Sequence, residues 1–179
     1  MDASGEPMEN PLSALYEAGI SGDIGTVRKL LQVHGNLLDD REDVDMLFQH
    51  VAMADQVEML EFLSEEFGVD VSAPKDAQTS ENALDEAAGE GAINAVRWLL
   101  DHGAKINHQV GGMARCFALS SAAIGGHLEI VKLLVERGAD INAVWAGDNA
   151  LSFALWYGHD EVAAYLRAHG GLEPDQLAK

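Results

Sequence analysis

Apolar positions in this chain recur at helical spacing, in pairs of short runs parted by a glycine. Val96, Leu99 and Leu100, then Val131, Leu133 and Leu134, then Val162, Tyr165 and Leu166 each form a stripe along one side of a helix. Ahead of each stripe lies a shorter run built on small residues: Ala87-Ala88, Ala122-Ala123 and Ala154-Leu155. Gly91, Gly126 or Gly158 separates the two runs, and Gly103, Gly138 or Gly170 closes the second. The pattern predicts a helix, a tight turn and a second helix, three times over, in Asn82–Asn107, Phe117–Asn142 and Asn149–Gly171.

Two weaker copies come first. In Leu12–Asn36, Gly22 holds the turn position and Val27, Leu30 and Leu31 form the stripe; in Met46–Ser72, Asp55 replaces the turn glycine ahead of Leu60, Phe62 and Leu63. The chain is therefore five copies of a unit of roughly 33 residues. A glycine suits the left-handed conformation that ends a helix, where a Cβ would be penalised. No unit can bury its stripe alone, so neighbours must stack, and the expected fold is an all-α solenoid. The divisions expected are a tail at 1–10, units at about 11–42, 43–78, 79–112, 113–145 and 146–172, and a tail at 173–179.

The units resemble ankyrin repeats. Gly126-His127-Leu128-Glu129-Ile130-Val131-Lys132-Leu133-Leu134-Val135-Glu136-Arg137-Gly138-Ala139-Asp140-Ile141-Asn142 follows that family's pattern nearly residue for residue. Arg97–Asn107 matches as well, and Gly158-His159-Asp160-Glu161-Val162 supplies a third opening. The resemblance covers about 11–171, and it implies hairpin fingers between units and a concave face where partner proteins bind. One departure is consistent. The family's first helix commonly opens with Thr-Pro-Leu-His, and no copy here does. Asn82 and Asn149 can cap a helix through their side-chain oxygens, whereas Phe117 and Met46, aligned to the same place, cannot. The expectation is a less stable array, with the second unit weakest.

Composition narrows the partners. The 179 residues hold 30 Asp and Glu against 11 Lys and Arg, a formal net charge of -19. Residues 1–80 carry 17 acidic and 4 basic side chains, so the excess is concentrated in the first units. That balance opposes binding to nucleic acid or to an anionic membrane surface. Apolar residues make up 47% of the chain and mean hydropathy is -0.04, enough to bury a core. The start Met1-Asp2-Ala3-Ser4-Gly5-Glu6 lacks a basic leader and no apolar run is long enough to span a membrane, so a cytoplasmic protein is expected. A single cysteine, Cys116, excludes an intrachain disulfide and any multi-thiolate metal site.

Chemistry finds little purchase. His127 and His159 take the position after the turn glycine that the resemblance makes structural, and His102 and His169 fall at one equivalent place. Their spacing belongs to the repeat, so no metal is expected. Glu86 and Glu90, one helical turn apart, read as solvating charge before paired carboxylates. There is no phosphate loop and no nucleophile elbow. The reading is a protein that is no enzyme and needs no cofactor.

Residues flanking each small pair on a first helix should line the concave face. The candidates are His50, Met53, Glu86, Glu90, Ile124, Phe153, Trp156 and Tyr157, joined by Trp145 on the finger before the last unit and by Met113 and Arg115 on a finger lengthened around Gly111-Gly112. Trp and Tyr are enriched at interface hot spots, which singles out Trp145, Phe153, Trp156 and Tyr157. The alternative for Phe153 or Trp156 is a cover over the end of the stack. The expected function is a monomeric adaptor or regulator that holds a protein partner, a basic one given the charge. A stoichiometric inhibitor, such as an immunity protein for a basic toxin, is the second reading; an enzyme or metal protein is the third.

Overall fold

The computed structural model describes residues 10–72, 82–110, 113–144 and 147–176. Within them ten α-helices form five antiparallel pairs: α1 (Pro11–Ser21) with α2 (Ile24–Val33), α3 (Arg41–Met53) with α4 (Val57–Phe67), α5 (Ala83–Glu90) with α6 (Ile93–Asp101), α7 (Phe117–Gly125) with α8 (Leu128–Glu136), and α9 (Ala150–Trp156) with α10 (Asp160–Ala168). Between α6 and α7, strands β1 (His108–Val110) and β2 (Met113–Arg115) pair antiparallel, His108 opposite Arg115. The first helices α1, α3, α5, α7 and α9 pack in chain order into one layer, and α4, α6, α8 and α10 follow each other in a second. This is the all-α solenoid that the repeats predict, with one short hairpin finger among the described residues.

The core runs unbroken along the stack. Each first helix buries one leucine completely, at Leu15, Leu47, Leu84, Leu119 and Leu151, except that Leu119 is 1% exposed. Ala87, Ala88, Ala122 and Ala123 are fully buried, the small side chains letting α5 and α7 approach closely. From the second helices, Val27, Leu60, Leu63, Val96, Leu99, Val131, Leu134, Val162 and Leu166 enter the same cluster.

Caps mark where the helices start. The Asn82 carboxamide accepts from the backbone N–H of Leu84 and Asp85, and the Asp85 carboxylate accepts from the Asn82 N–H. That is a full capping box. Asn149 caps α9 through the Ser152 N–H, while α7 opens after Cys116 with no side-chain cap. The second unit corrects the sequence reading. Met46 lies inside α3, which begins five residues earlier and is capped by Asp40, whose carboxylate accepts from the Glu42 N–H at 3.0 Å. The reason for expecting the second unit to be weakest is thereby removed.

Every joint between pairs carries polar ties. His127 Nε2 donates to the Gly89 carbonyl at 2.9 Å, and His159 Nε2 to the Ile124 carbonyl at 2.8 Å. A carbonyl can only accept, so both rings carry their proton on Nε2. The joint before α6 is built in reverse: Asp55 reaches forward and accepts from the Ala95 N–H and the Asn94 side chain. Along the other edge, Ser72, Asn107 and Asn142 donate to the carbonyls of Gly103, Gly138 and Gly170 in the following pair. The first two pairs are tied by the Tyr16 hydroxyl, which donates to the Asp43 carbonyl at 3.1 Å, whereas Arg41 donates to the Gly68 carbonyl within the second pair.

Candidate functional site

Lysine and arginine are sorted by layer. The five first helices hold one Lys or Arg between them, Arg41, which is taken up by Asp45 at 2.9 Å and by the carbonyls of Phe67 and Gly68. Arg28, Lys29, Arg97, Lys132 and Arg167 all lie on second helices. Glu17 and Glu90 stand on the first layer, on helices that carry no Lys or Arg. The gradient read along the chain is thus accompanied by a difference across it.

Three consecutive first helices share a hollow of about 280 Å³, walled by Met53 from α3, by Asp85, Glu86, Gly89 and Glu90 from α5, and by Ser121 from α7. Gly89 sets its depth, because a Cβ there would lie 3.3 Å from that of Ser121. His50, one turn before Met53, is exposed; its Nδ1 lies 2.7 Å from the Met46 carbonyl and its ring meets Tyr16 edge-on at 5.7 Å. Met53, Glu86 and Ile124 are half-buried and Glu90 is exposed.

At the end of the layer the aromatic candidates separate. Phe153 is 8% exposed and sits in the core, whereas Trp156 is 74% exposed and Tyr157 58%. The Phe153 ring supports that of Trp156 from beneath, with centroids 6.2 Å apart and planes at 75°. Phe153 therefore covers the end of the core, and the exposed ring beside it is that of Trp156. The structure brings Met53, Glu86 and Glu90 together, and Phe153 with Trp156. Trp145 and Gly111-Gly112 lie outside the described residues. Met113 and Arg115 are placed by their backbone in β2, with their side chains outside the description.

Sequence reasoning missed a larger hollow on the opposite layer, about 450 Å³ between α4 and α6, lined by Asp55, Val57, Glu58, Asn94, Arg97, Trp98 and Asp101. Trp98 is stacked by His102, with centroids 3.9 Å apart, as Tyr165 is by His169 at 4.0 Å. Matching His102 with His169 is thereby explained: each histidine folds back on the aromatic four residues before it. The Cys116 thiol is 3% exposed, and burial pushes its pKa up to about 12. Among the described residues no group of three or more His, Cys, Asp or Glu is placed to hold a metal ion, and no helix is long and apolar enough to cross a membrane.

Comparison with known proteins gives a consistent picture. A family model described as ankyrin repeats (3 copies) matches residues 9–110, and a second, ankyrin repeats (many copies), matches 119–167. The human Notch-regulated ankyrin repeat-containing protein (Homo sapiens) is 48% identical over 50 residues, which cover 27% of this chain and 44% of the relative. The ankyrin repeat and KH domain-containing protein mask of Drosophila melanogaster is 33% identical over 93 residues, 50% of this chain and 2% of that protein. A probable E3 ubiquitin-protein ligase of Oryza sativa subsp. japonica, XBOS32, is 38% identical over 84 residues, 46% of this chain and 17% of the ligase. In each case the matched stretch spans less than half of the relative.

Proposed function

The chain belongs to the ankyrin-repeat family, a family of protein-interaction modules, and we propose that it holds a partner protein against its layer of first helices, without catalysis of its own. The observation that carries this is the pair Trp156 and Tyr157, exposed at 74% and 58%, against 40% for Ile20 and Met46, the other exposed large apolar side chains on the described first helices. A ring exposed at 74% contributes little to folding, while a large rigid aromatic is the kind of anchor on which interfaces concentrate their energy. The acid of Glu86 and Glu90 at the shared hollow suits a basic partner, whose approach it would accelerate. Adaptor or regulator in the cytoplasm is the role this supports.

The test is affinity capture from a native lysate at low salt, with a Trp156→Ala/Tyr157→Ala variant in parallel. A protein retained by the natural chain and lost by the variant supports the reading. Retention by both moves the interface off this face.

A second reading, stoichiometric inhibition of a basic protein, is favoured by the net charge of -19. It requires an association rate that falls steeply between low and physiological salt. A rate indifferent to salt removes it.

A further inference from the structure

The hollow of about 450 Å³ between α4 and α6 belongs to the second and third helix pairs, well inside the stack. Two of its acids are already engaged. Asp55 accepts from the Ala95 N–H and the Asn94 side chain, and Asp101 is held by Arg137 at 2.8 Å. What remains open is the half-buried ring of Trp98, stacked on one face by His102, together with Val57 from α4 and the exposed side chains of Arg97 and Glu58.

The helix beside this hollow differs from the other four of its layer. α4 carries Glu58, Glu61, Glu65 and Glu66, all exposed, and no Lys or Arg, whereas α2, α6, α8 and α10 each carry at least one. Among the described residues none of these four carboxylates meets a cation or accepts a hydrogen bond. Farther along the layer, Glu129 has Lys132 at 2.6 Å and Glu173 has Arg167 at 2.6 Å. Glu58, Glu61 and Glu65 recur at helical spacing, so they share one face of α4 beside the aromatic groove.

We propose that the groove and this face of α4 form a second docking surface, for a basic amphipathic helix of a partner protein. Its Lys or Arg side chains lie along Glu58, Glu61 and Glu65, while one large apolar side chain enters the hollow against Trp98 and Val57. Charge complementarity names the partner: carboxylates that no cation of their own chain meets attract a cationic segment and speed its approach. The engagement of Asp55 and Asp101 names the anchor, because the wall they leave open is aromatic and aliphatic. A helix fits better than an extended segment, since the walls of the groove are helices whose backbone groups are satisfied internally, and a helix brings its own hydrogen bonds. A second copy of the chain is excluded by repulsion between two charges of -19. The surface lies on the layer opposite Trp156, so it stands or falls separately from the function proposed above.

The experiment uses the full chain as bait for a phage-displayed library of single helices with randomised surface positions, at physiological salt. The selected helices should carry net positive charge around one large apolar residue. Glu58→Gln/Glu61→Gln should weaken each by about tenfold or more, whereas Glu136→Gln/Glu161→Gln, the same loss of charge on α8 and α10, should leave affinity within about twofold. Both variants should melt as the natural chain does. In nitrogen–proton correlation spectra the indole signal of Trp98 should move when the helix is added, and that of Trp156 should not. Helices indifferent to the α4 variant, or weakened equally by both variants, overturn the site; in the second case only general attraction to an acidic protein is left. A shift of the Trp156 indole in place of that of Trp98 puts the helix on the first layer, which overturns the second surface and supports the function proposed above. Selection of helices without basic residues, or of none at all, overturns the proposal, as does an apolar residue whose replacement by alanine costs nothing.

Discussion

His159 donates from Nε2 to the carbonyl of Ile124 at 2.8 Å, and in doing so lays its ring over Gly126. One side chain thereby ties the last helix pair to the one before it and dictates a glycine in its neighbour. Gly126 and Gly158 have nearly the same φ, 72 and 76, so an alanine at either meets about 1–2 kcal/mol of left-handed strain. Only at Gly126 would it also collide with a ring, 2.5 Å away. Gly126→Ala should therefore cost more than Gly158→Ala, by about the 1–3 kcal/mol of a hydrogen bond broken with its carbonyl left behind. Urea unfolding of the two variants measures the difference, and equal costs would mean that the imidazole gives way freely.

Asp55 does two things at once. It holds φ 58, the single positive φ of a non-glycine residue among the described ones, and it supplies the helix-capping oxygen that α6 lacks, since Ala92 at the α6 N-cap has no side-chain acceptor. Asp55→Ala removes the cap, worth about 0.5–2 kcal/mol, and leaves a methyl-bearing residue in a left-handed backbone. Asp55→Gly removes the cap and the strain together. The alanine variant should be the less stable of the two, and the natural chain more stable than the alanine variant by about 2 kcal/mol or more. A glycine variant as stable as the natural chain would show that the bonds to Asn94 and Ala95 only offset the left-handed strain that glycine relieves.

These two joints show what the sequence could and could not disclose. The repeat, the all-α class and the structural place of His127 and His159 were legible, because glycine, histidine and apolar positions recur at one period. Asp55 was legible only as a departure: its partners lie 39 and 40 residues on, in another unit, and no local rule links them. The start of α3 was hidden because Asp40 lies in an acidic run that reads as solvating charge, and because alignment to the other units put Met46 at the opening. Which of Phe153 and Trp156 faces water was not legible at all. They stand three residues apart on one short helix, and the neighbouring helices decide.

The Cys116 thiol should behave as a buried apolar group. Its pKa stands at about 12 against an ordinary 9.0, burial being the main cause, so the folded protein keeps it protonated at pH 8. The reactive thiolate is then almost absent, and a thiol reagent such as DTNB should label the native chain no faster than it unfolds, but label it at once in denaturant. The sign for stability follows. The folded state holds this proton more tightly than the unfolded one, so the contribution is complete below pH 9 and is lost as pH climbs toward 12. Cys116→Ala should flatten that part of the stability profile. Rapid labelling under native conditions would place the thiol in water.

Phe153 and Trp156 give the sharpest separation between folding and recognition, because both are large aromatics on one helix and their rings touch. Phe153 is 8% exposed, so Phe153→Ala opens a void at the end of the core and should cost about 3–5 kcal/mol, as such truncations do. Trp156 is 74% exposed, and Trp156→Ala should change stability by less than about 0.5 kcal/mol, apart from the edge-on contact with Phe153. If the exposed ring is there to meet a partner, the order reverses for binding: Trp156→Ala should weaken it by about 2 kcal/mol or more while the chain stays folded. Unfolding curves and a binding titration on the same two variants decide it. A Trp156→Ala variant that loses stability as Phe153→Ala does would make the indole a cover for the stack, and the aromatic end would then belong to the fold alone.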